Sequence, residues 1–256
     1  MVGCGGMKTA LVTGGAGGLG RALADALEGR GWRLVLVDRD VSTLTPSDTR
    51  ILHQCDLTDA AELQNLCAAL NAEYPHLDLV IYNAGVTQIG GFGTQDLAAH
   101  RRLFEVNYFA AITMAQALLM PVRAAKGTHL AMSSVAGFAP LYHRTAYAAS
   151  KHALQGFFSS LRSEERRHGV SVRIAAPSFV ATNPGATAQY GLERPGSSSD
   201  GIDAMDATTA AEIILKGHER GRDFIPVGRV SRLSYLLNRL TPAFYQYLME
   251  RRINGH

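Results

Sequence analysis

Short, almost uninterrupted apolar runs alternate with longer amphipathic stretches through most of this chain. The runs TALVT (Thr9–Thr13), RLVLVD (Arg33–Asp38), RILHQ (Arg50–Gln54), LDLVIY (77–82), THLAMS (128–133), VSVRIAA (170–176) and RDFIPV (222–227) read as strands. Continuous rather than alternating hydrophobicity is what a strand buried on both faces requires. Helical patterns lie between them, near 18–30, 58–73, 95–125, 146–168 and 207–220. The fourth ends with His168 in its last turn and Gly169 just beyond, a stop signal. Strand–helix alternation of this kind predicts right-handed crossovers and a doubly wound parallel sheet of about seven strands, flanked by helices. No linker or repeat divides it, so an α/β single domain is expected.

Two regions break the alternation. Residues 183–206 are rich in Gly, Ser and Pro and read as a substrate loop. In 230–252, Leu233, Leu236, Leu237 and Leu240 form a helical stripe. Thr241 and Pro242 then start a second short helix carrying Phe244 and Leu248. Arg229, Arg232, Arg239, Arg251 and Arg252 flank these residues. The segment is expected to close the apolar end of a substrate site or to make a subunit contact. An ordinary core-packing helix and docking on an anionic membrane surface are the alternatives.

Composition narrows the class. With 256 residues, 46% of them hydrophobic and 18% charged, the chain can bury a large core without staples. A net charge of +3 without a basic run argues against nucleic acid as a partner. Cys4, Cys55 and Cys67 form neither a CxxC motif nor a metal-ligand spacing. No disulfide framework or metal site is expected, and a reducing, cytoplasmic setting is. No segment approaches about 18 uninterrupted apolar residues, so no transmembrane span is expected. MVGCGG (1–6) reads as an extension outside the fold.

Two motifs carry chemistry. TGGAGGLG follows the first strand and opens the first helix. Its glycines, Gly14, Gly15, Gly17, Gly18 and Gly20, permit a tight turn and close backbone approach to a diphosphate at the helix N-terminus. Asp38 ends the second strand, where a carboxylate can accept hydrogen bonds from an adenosine ribose. In TAYAASKHAL, Tyr147 and Lys151 are four residues apart and leave one helix face. Taken alone, that pair is either a solvated face or an acid–base couple.

Taken together, these motifs over residues 7–228 resemble the short-chain dehydrogenase/reductase (SDR) family. TGGAGGLG resembles its cofactor loop, with Leu19 among the cofactor contacts. Asp56 and Leu57 in CDLTD resemble the pair beside the adenine. Asn83, Ala84 and Gly85 in YNAG resemble the end of the family's fourth strand. Asn107 in FEVNYFA, Ser134 in SSVAG, Tyr147 and Lys151 match the catalytic set. Pro177, Val180 and Thr182 in PSFVAT match the nicotinamide side. Two departures stand out: Tyr82 replaces the commoner Asn, and Ser178 stands where Gly is usual.

The resemblance implies a Rossmann-type fold and an NAD-dependent oxidoreductase that interconverts a secondary alcohol and a ketone. Tyr147 would be acid and base, its pKa lowered by Lys151 and by the oxidised nicotinamide. Lys151 would also reach the nicotinamide ribose. Ser134 would orient the substrate oxygen, and Asn107 would hold a water linking Lys151 to solvent. Asp38 favours NAD over NADP, with Arg39 as the complication. A homodimer or homotetramer is implied. The alternatives are an NADP-dependent carbonyl reductase, an epimerase or dehydratase of the same fold, and a cofactor-binding regulatory protein without turnover. Ile89, Phe92, Phe138, Leu141, Tyr142 and Phe179 point to a small apolar or aromatic substrate. His143 and His152 read as rim residues, and His53 as a satisfied core residue.

Overall fold

In the computed structural model, residues 6–181 and 205–253 are described. Most of the expected N-terminal extension and of the expected substrate loop lies outside them, as do Cys4 and Thr182. Seven parallel strands form the sheet: β1 (Thr9–Thr13), β2 (Arg33–Asp38), β3 (Arg50–Gln54), β4 (Leu79–Tyr82), β5 (Thr128–Met132), β6 (Ser171–Pro177) and a last strand, Phe224–Val227. Two short strands precede that last one, β7 (Val180–Ala181) and β8 (Met205–Asp206), which pair with each other. The last strand is therefore β9, and the sheet order is β3-β2-β1-β4-β5-β6-β9. Met205 and Asp206, placed in the substrate loop by the sequence, thus belong to β8.

Successive side chains of a strand face opposite sides, so each strand feeds two cores. Leu11 packs with Val35, Val80, Met114 and Phe158 on one side. Ala10 and Val12 pack with Leu23, Leu36, Ile81 and Ile214 on the other. Helices α1 (Gly18–Glu28) and α7 (Ala207–Glu219) cover the second side. The first is covered by α2 (Ala60–Glu73) and by the helices between β4 and β6. Capping follows the sequence: Asp59 accepts from the N–H groups of Ala61 and Glu62 at α2, and Asp206 from Thr209 at α7. The expectation of strands buried on both faces holds for β1, β4 and β5. It does not hold for β3, an edge strand that is half-exposed. His53 lies there, half-buried, with Nε2 lacking a hydrogen-bond partner, so it is not the satisfied core residue expected.

The single helix expected over 95–125 is broken. It consists of α3 (Leu97–Phe104), a π-helical turn (Glu105–Phe109), α4 (Ala110–Ala117) and α5 (Leu119–Ala125). The last piece turns by 59° from the rest. Pro121 explains that bend, because it has no N–H and its ring crowds the carbonyl four residues back. After β5 comes a short 3-10 turn (Val135–Gly137), and then α6 (Thr145–Glu165). A second 3-10 turn (Arg166–His168) follows α6, and Gly169 caps it at φ 73°, as the sequence indicated. Helices α8 (Arg229–Leu240) and α9 (Pro242–Ile253) close the chain as a hairpin.

Tyr82, the departure from the usual Asn, is a core residue. Its ring packs 5.0 Å from that of Phe158, and its hydroxyl meets His129 Nδ1 at 2.6 Å. Below it, the Arg123 guanidinium forks onto Glu165 at 2.6 and 2.8 Å. Only 2% of the Glu165 side chain is exposed, and Arg123 holds its carboxyl below the ordinary value. Arg123→Ala should therefore cost about 3 kcal/mol at neutral pH by leaving a buried carboxylate unpaired. A depressed carboxylate stabilises above its unfolded value and loses that contribution as pH falls. The gap between parent and variant in urea melts should thus narrow below the ordinary value of 4.5.

Candidate active site

The described motif residues gather at the C-terminal ends of the sheet strands, where crossovers from β1 and β4 leave toward opposite faces. Open α/β sheets bind ligands in the crevice such a switch creates. Gly14 turns the chain after β1 at φ 66°, a left-handed conformation open to glycine. A Cβ on Gly20 would lie 1.9 Å from the Gly14 carbonyl oxygen, so α1 can fold this close to the loop only with glycine there. Gly15 packs on Leu36, and Gly17 N-caps α1 without a side-chain bond. No acidic residue stands in the first turn of α1. Its backbone N–H groups and positive dipole end therefore face the crevice without a competing carboxylate, which fits a dinucleotide diphosphate. Leu19, next in that turn, is half-buried and packs on the α1 face of the sheet.

Asp38 is tied to this loop. Its Oδ2 accepts from Ala16 N at 2.9 Å and its Oδ1 from Asp40 N at 3.3 Å. A carboxylate has about four acceptor directions, so ribose hydroxyls can still be bound. Arg39 is exposed beside it. Asp56 Oδ1 accepts from the N–H and the hydroxyl of Thr58, which lower its pKa, and Leu57 packs toward the α2 core. Asn83 Nδ2 donates to the carbonyls of Thr13 and Gly14, at 3.0 and 3.1 Å. The N–H groups of Asn83 and Ala84 both donate to Thr13 Oγ1 at 3.0 Å. Asn83 thus acts on the cofactor loop by holding it. Pro177 ends β6, and Val180 packs against the α1–α7 core. Ser178 needs no glycine conformation, since Lys126 and His143 are the non-glycine residues with positive φ among those described.

The structure brings Ser134, Tyr147, Lys151 and Asn107 together. Ser134 ends the β5 run and caps the 3-10 turn, accepting from Ala136 N at 3.2 Å. The same hydroxyl acts on the Tyr147 phenol and favours its ionised form. Tyr147 is half-buried, and Lys151, one turn on, is 5% exposed. Lys151 Nζ donates to the Met132 carbonyl at 2.8 Å and lies 6.0 Å from the centre of the Tyr147 ring. A Cβ on Gly85 would stand only 3.3 Å from that Nζ.

Among the chain's own groups, burial dominates the electrostatics of this pair. Burial pushes the Tyr147 phenol above its ordinary value of 10. The Ser134 hydroxyl and the Arg144 charge pull it back, and the Lys151 ammonium, 6.0 Å from the ring centre, favours the phenolate in the same sense. Burial pushes Lys151 itself down to about 8. Asn107 is held in place by protein groups. Its Oδ1 accepts from Val86 N at 2.8 Å, and its Nδ2 donates to Val86 O and Ser150 Oγ, both at 2.9 Å. Its side chain fixes the loop after β4, and its Oδ1 keeps a second acceptor direction.

Sequence reasoning missed three residues. Arg144, directly before α6, lies 6.0 Å from the Tyr147 ring and donates to Thr87 Oγ1 at 2.9 Å. Ser150 bridges Asn107 to the Tyr147 carbonyl, and Thr13 ties β1 to β4. The one signal for Arg144 was a cation one helical turn before the tyrosine. The six expected substrate-side residues also divide. Phe138 packs edge-on against Phe224 and Tyr235, and Leu141 joins the same satellite cluster, so both are structural. Phe92 and Tyr142 are exposed at the rim, as are His143 and His152, while Ile89 and Phe179 are half-buried. Among the described residues, no group of three His, Cys, Asp or Glu side chains could hold a metal ion.

Residues 8–190 match the family model described as short chain dehydrogenase. Dehydrogenase/reductase SDR family member 7B of Danio rerio is 29% identical over 96% of this chain and 85% of its own length. A short chain dehydrogenase from Burkholderia cenocepacia, solved with NADP, superposes with a TM-score of 0.81 at 22% identity, covering 95% of this chain and 97% of its own. The bulky-bulky ketone specific alcohol dehydrogenase of Comamonas testosteroni gives 0.73 at 26% identity, covering 95% and 94%.

Linkage predicts how the buried lysine responds to pH. Lys151 has a folded value near 8 against an ordinary 10.5, so between these the unfolded chain binds more protons. The stability of the parent relative to Lys151→Met should be flat below pH 8 and rise from about 8 to 10.5. Thermal melts across that range check the trend.

Proposed function

Because the chain belongs to the short-chain dehydrogenase family and is a nicotinamide-dependent oxidoreductase, we propose that it interconverts a secondary alcohol and a ketone on an apolar substrate, with NAD as the preferred cofactor. The observation that carries this reading is the Ser134–Tyr147–Lys151 cluster beside Gly85, facing the crevice that the glycine loop opens. When bound, the nicotinamide would supply or accept the hydride. The glycine loop and the α1 N-terminus would hold the diphosphate, Asp38 the adenosine ribose, and Lys151 the nicotinamide ribose.

Each side chain then has a task. The Tyr147 hydroxyl gives its proton to the carbonyl oxygen in reduction and takes it back in oxidation. A phenol raised by burial is a poor base, so oxidation needs added positive charge near it. Arg144 supplies part of that charge. Lys151, titrating near 8, can relay the proton at neutral pH. Ser134 orients the substrate oxygen through the hydroxyl that already meets Tyr147. Phe92 and Tyr142 offer an apolar rim, consistent with a bulky ketone of the kind the Comamonas testosteroni relative takes. A reducing, cytoplasmic setting fits the buried thiols of Cys55 and Cys67. Burial holds both in the protonated form, with Cys55 near 11. A homodimer or homotetramer would find exposed apolar residues at Phe109 and Met120.

Tyr147→Phe removes the proton donor while keeping the ring. Turnover should fall about a thousandfold with cofactor affinity nearly unchanged. Activity within about tenfold of the parent in NADH-coupled assays of a ketone panel would refute the assignment. Cofactor choice rests on Asp38. A 2′-phosphate pressed on this carboxylate is a like-charge contact costing several kcal/mol, so kcat/KM should favour NAD by roughly a hundredfold. Asp38→Ala should erase that preference. Equal or better kinetics with NADP in the parent would mean that Arg39 governs the pocket instead.

A further inference from the structure

Helix α8 leaves most of its leucines outside. Its inward face mixes polar contacts with an aromatic one: Ser231 donates to the Ala176 carbonyl at 2.6 Å, Asn238 Nδ2 donates to the Phe138 carbonyl at 2.6 Å, and the Tyr235 ring stacks on Phe224. Ser231 and Ser234 are buried. Leu233, Leu236 and Leu240 stand on the opposite side, 59%, 55% and 76% exposed. Of the stripe expected from sequence, only Leu237 turns inward, toward Phe138 and Leu141. Helix α9 turns Tyr245 and Met249 inward and leaves other apolar residues outside. Tyr245 is buried at 4%, while Phe244, Tyr247 and Leu248 are between 39% and 53% exposed. Leu237, Tyr245 and Met249 attach the hairpin to Val135 and Ala139, and the apolar residues gathered on its outer side mark an interaction surface.

Charge selects the occupant. Residues 229–253 contain five arginines against a single acid, Glu250. Arg232 and Arg239 are exposed beside the leucines. A second copy docked face to face would bring these cationic margins together, which disfavours it. An apolar stripe bordered by arginines, with a tyrosine on the same hairpin, is the pattern of a helix lying in an anionic lipid interface. Among the described residues, no single helix is long and apolar enough to cross a membrane, so the contact is with one surface.

We infer that the outer face of the α8–α9 hairpin docks the protein on an anionic bilayer surface, with Leu233, Leu236 and Leu240 entering the interface. The hairpin packs on Val135, Phe138, Ala139 and Leu141, just after Ser134. Docking would thus set the proposed site close to the lipid, where an apolar ketone concentrates. That consequence rests on the oxidoreductase reading, but the docking does not, and its test needs no turnover.

The test is flotation with vesicles of equal parts phosphatidylcholine and phosphatidylserine, against pure phosphatidylcholine, at low and high salt. The parent should float with the anionic vesicles at low salt, and high salt should release it. Arg232→Ala should weaken partition about fivefold. Leu233→Ser/Leu236→Ser/Leu240→Ser should weaken it at least tenfold, with the melting temperature and turnover of a water-soluble ketone kept. These side chains are exposed, so folding should survive the change. A parent that stays in the soluble fraction at low salt overturns the inference. So does equal binding to both vesicle types, or a dimer in light scattering that the triple variant dissociates. The last result would make the face a protein contact.

Discussion

The site depends on a single stitch between two strands. Thr13 Oγ1 receives the backbone N–H groups of Asn83 and Ala84, and Asn83 in return holds the carbonyls of Thr13 and Gly14. Crossovers from β1 and β4 leave toward opposite faces, so their ends would otherwise drift apart. Held together, they fix the glycine loop on one side of the crevice and Gly85 on the other. Everything chemical is then measured from those positions. Asp38 closes the loop from β2 through Ala16 N, and Asn107 secures the chain after Gly85 through both backbone groups of Val86. Buried polar groups arranged this way must be fully satisfied to be tolerable, and here they bond one another.

Within that frame the ionisable groups are kept from their solution behaviour. Lys151 is buried with one carbonyl partner, and its affinity for a proton falls toward the neutral range. Tyr147 moves the other way, because burial disfavours the phenolate more than Ser134 and Arg144 favour it. A donor phenol beside a lysine that titrates near neutrality is poised for giving a proton to a carbonyl. Perturbed groups of opposite tendency in one crevice are a mark of acid–base sites.

The C-terminal hairpin shows how differently two cores can be built. The sheet buries leucines and valines against helices on both faces. Under α8 the contact is made instead by hydroxyls, an amide and the Phe138–Phe224–Tyr235 ring cluster. The leucines left outside are not needed for that attachment, which leaves them available for a surface outside the protein.

The sequence alone determined the strand and helix alternation, the parallel sheet, the glycine loop, the acid ending β2 and the tyrosine–lysine pair on one helix face. These are local patterns of hydrophobicity, spacing and glycine, and local patterns survive without three-dimensional context. It did not determine what each polar side chain is bonded to. Asn83 and Asn107 hold backbone, Arg144 joins Lys151 beside the tyrosine, and Phe138 belongs to a packing cluster. Each of those facts requires residues far apart in the chain to meet. The break around Asn107 was likewise invisible, because a π-turn keeps the same apolar periodicity to within one residue. The direction of the α8 stripe was undecided for a simpler reason. Periodicity shows that a helix has two faces, and only packing against β6, β9 and the 135–141 segment decides which face turns inward.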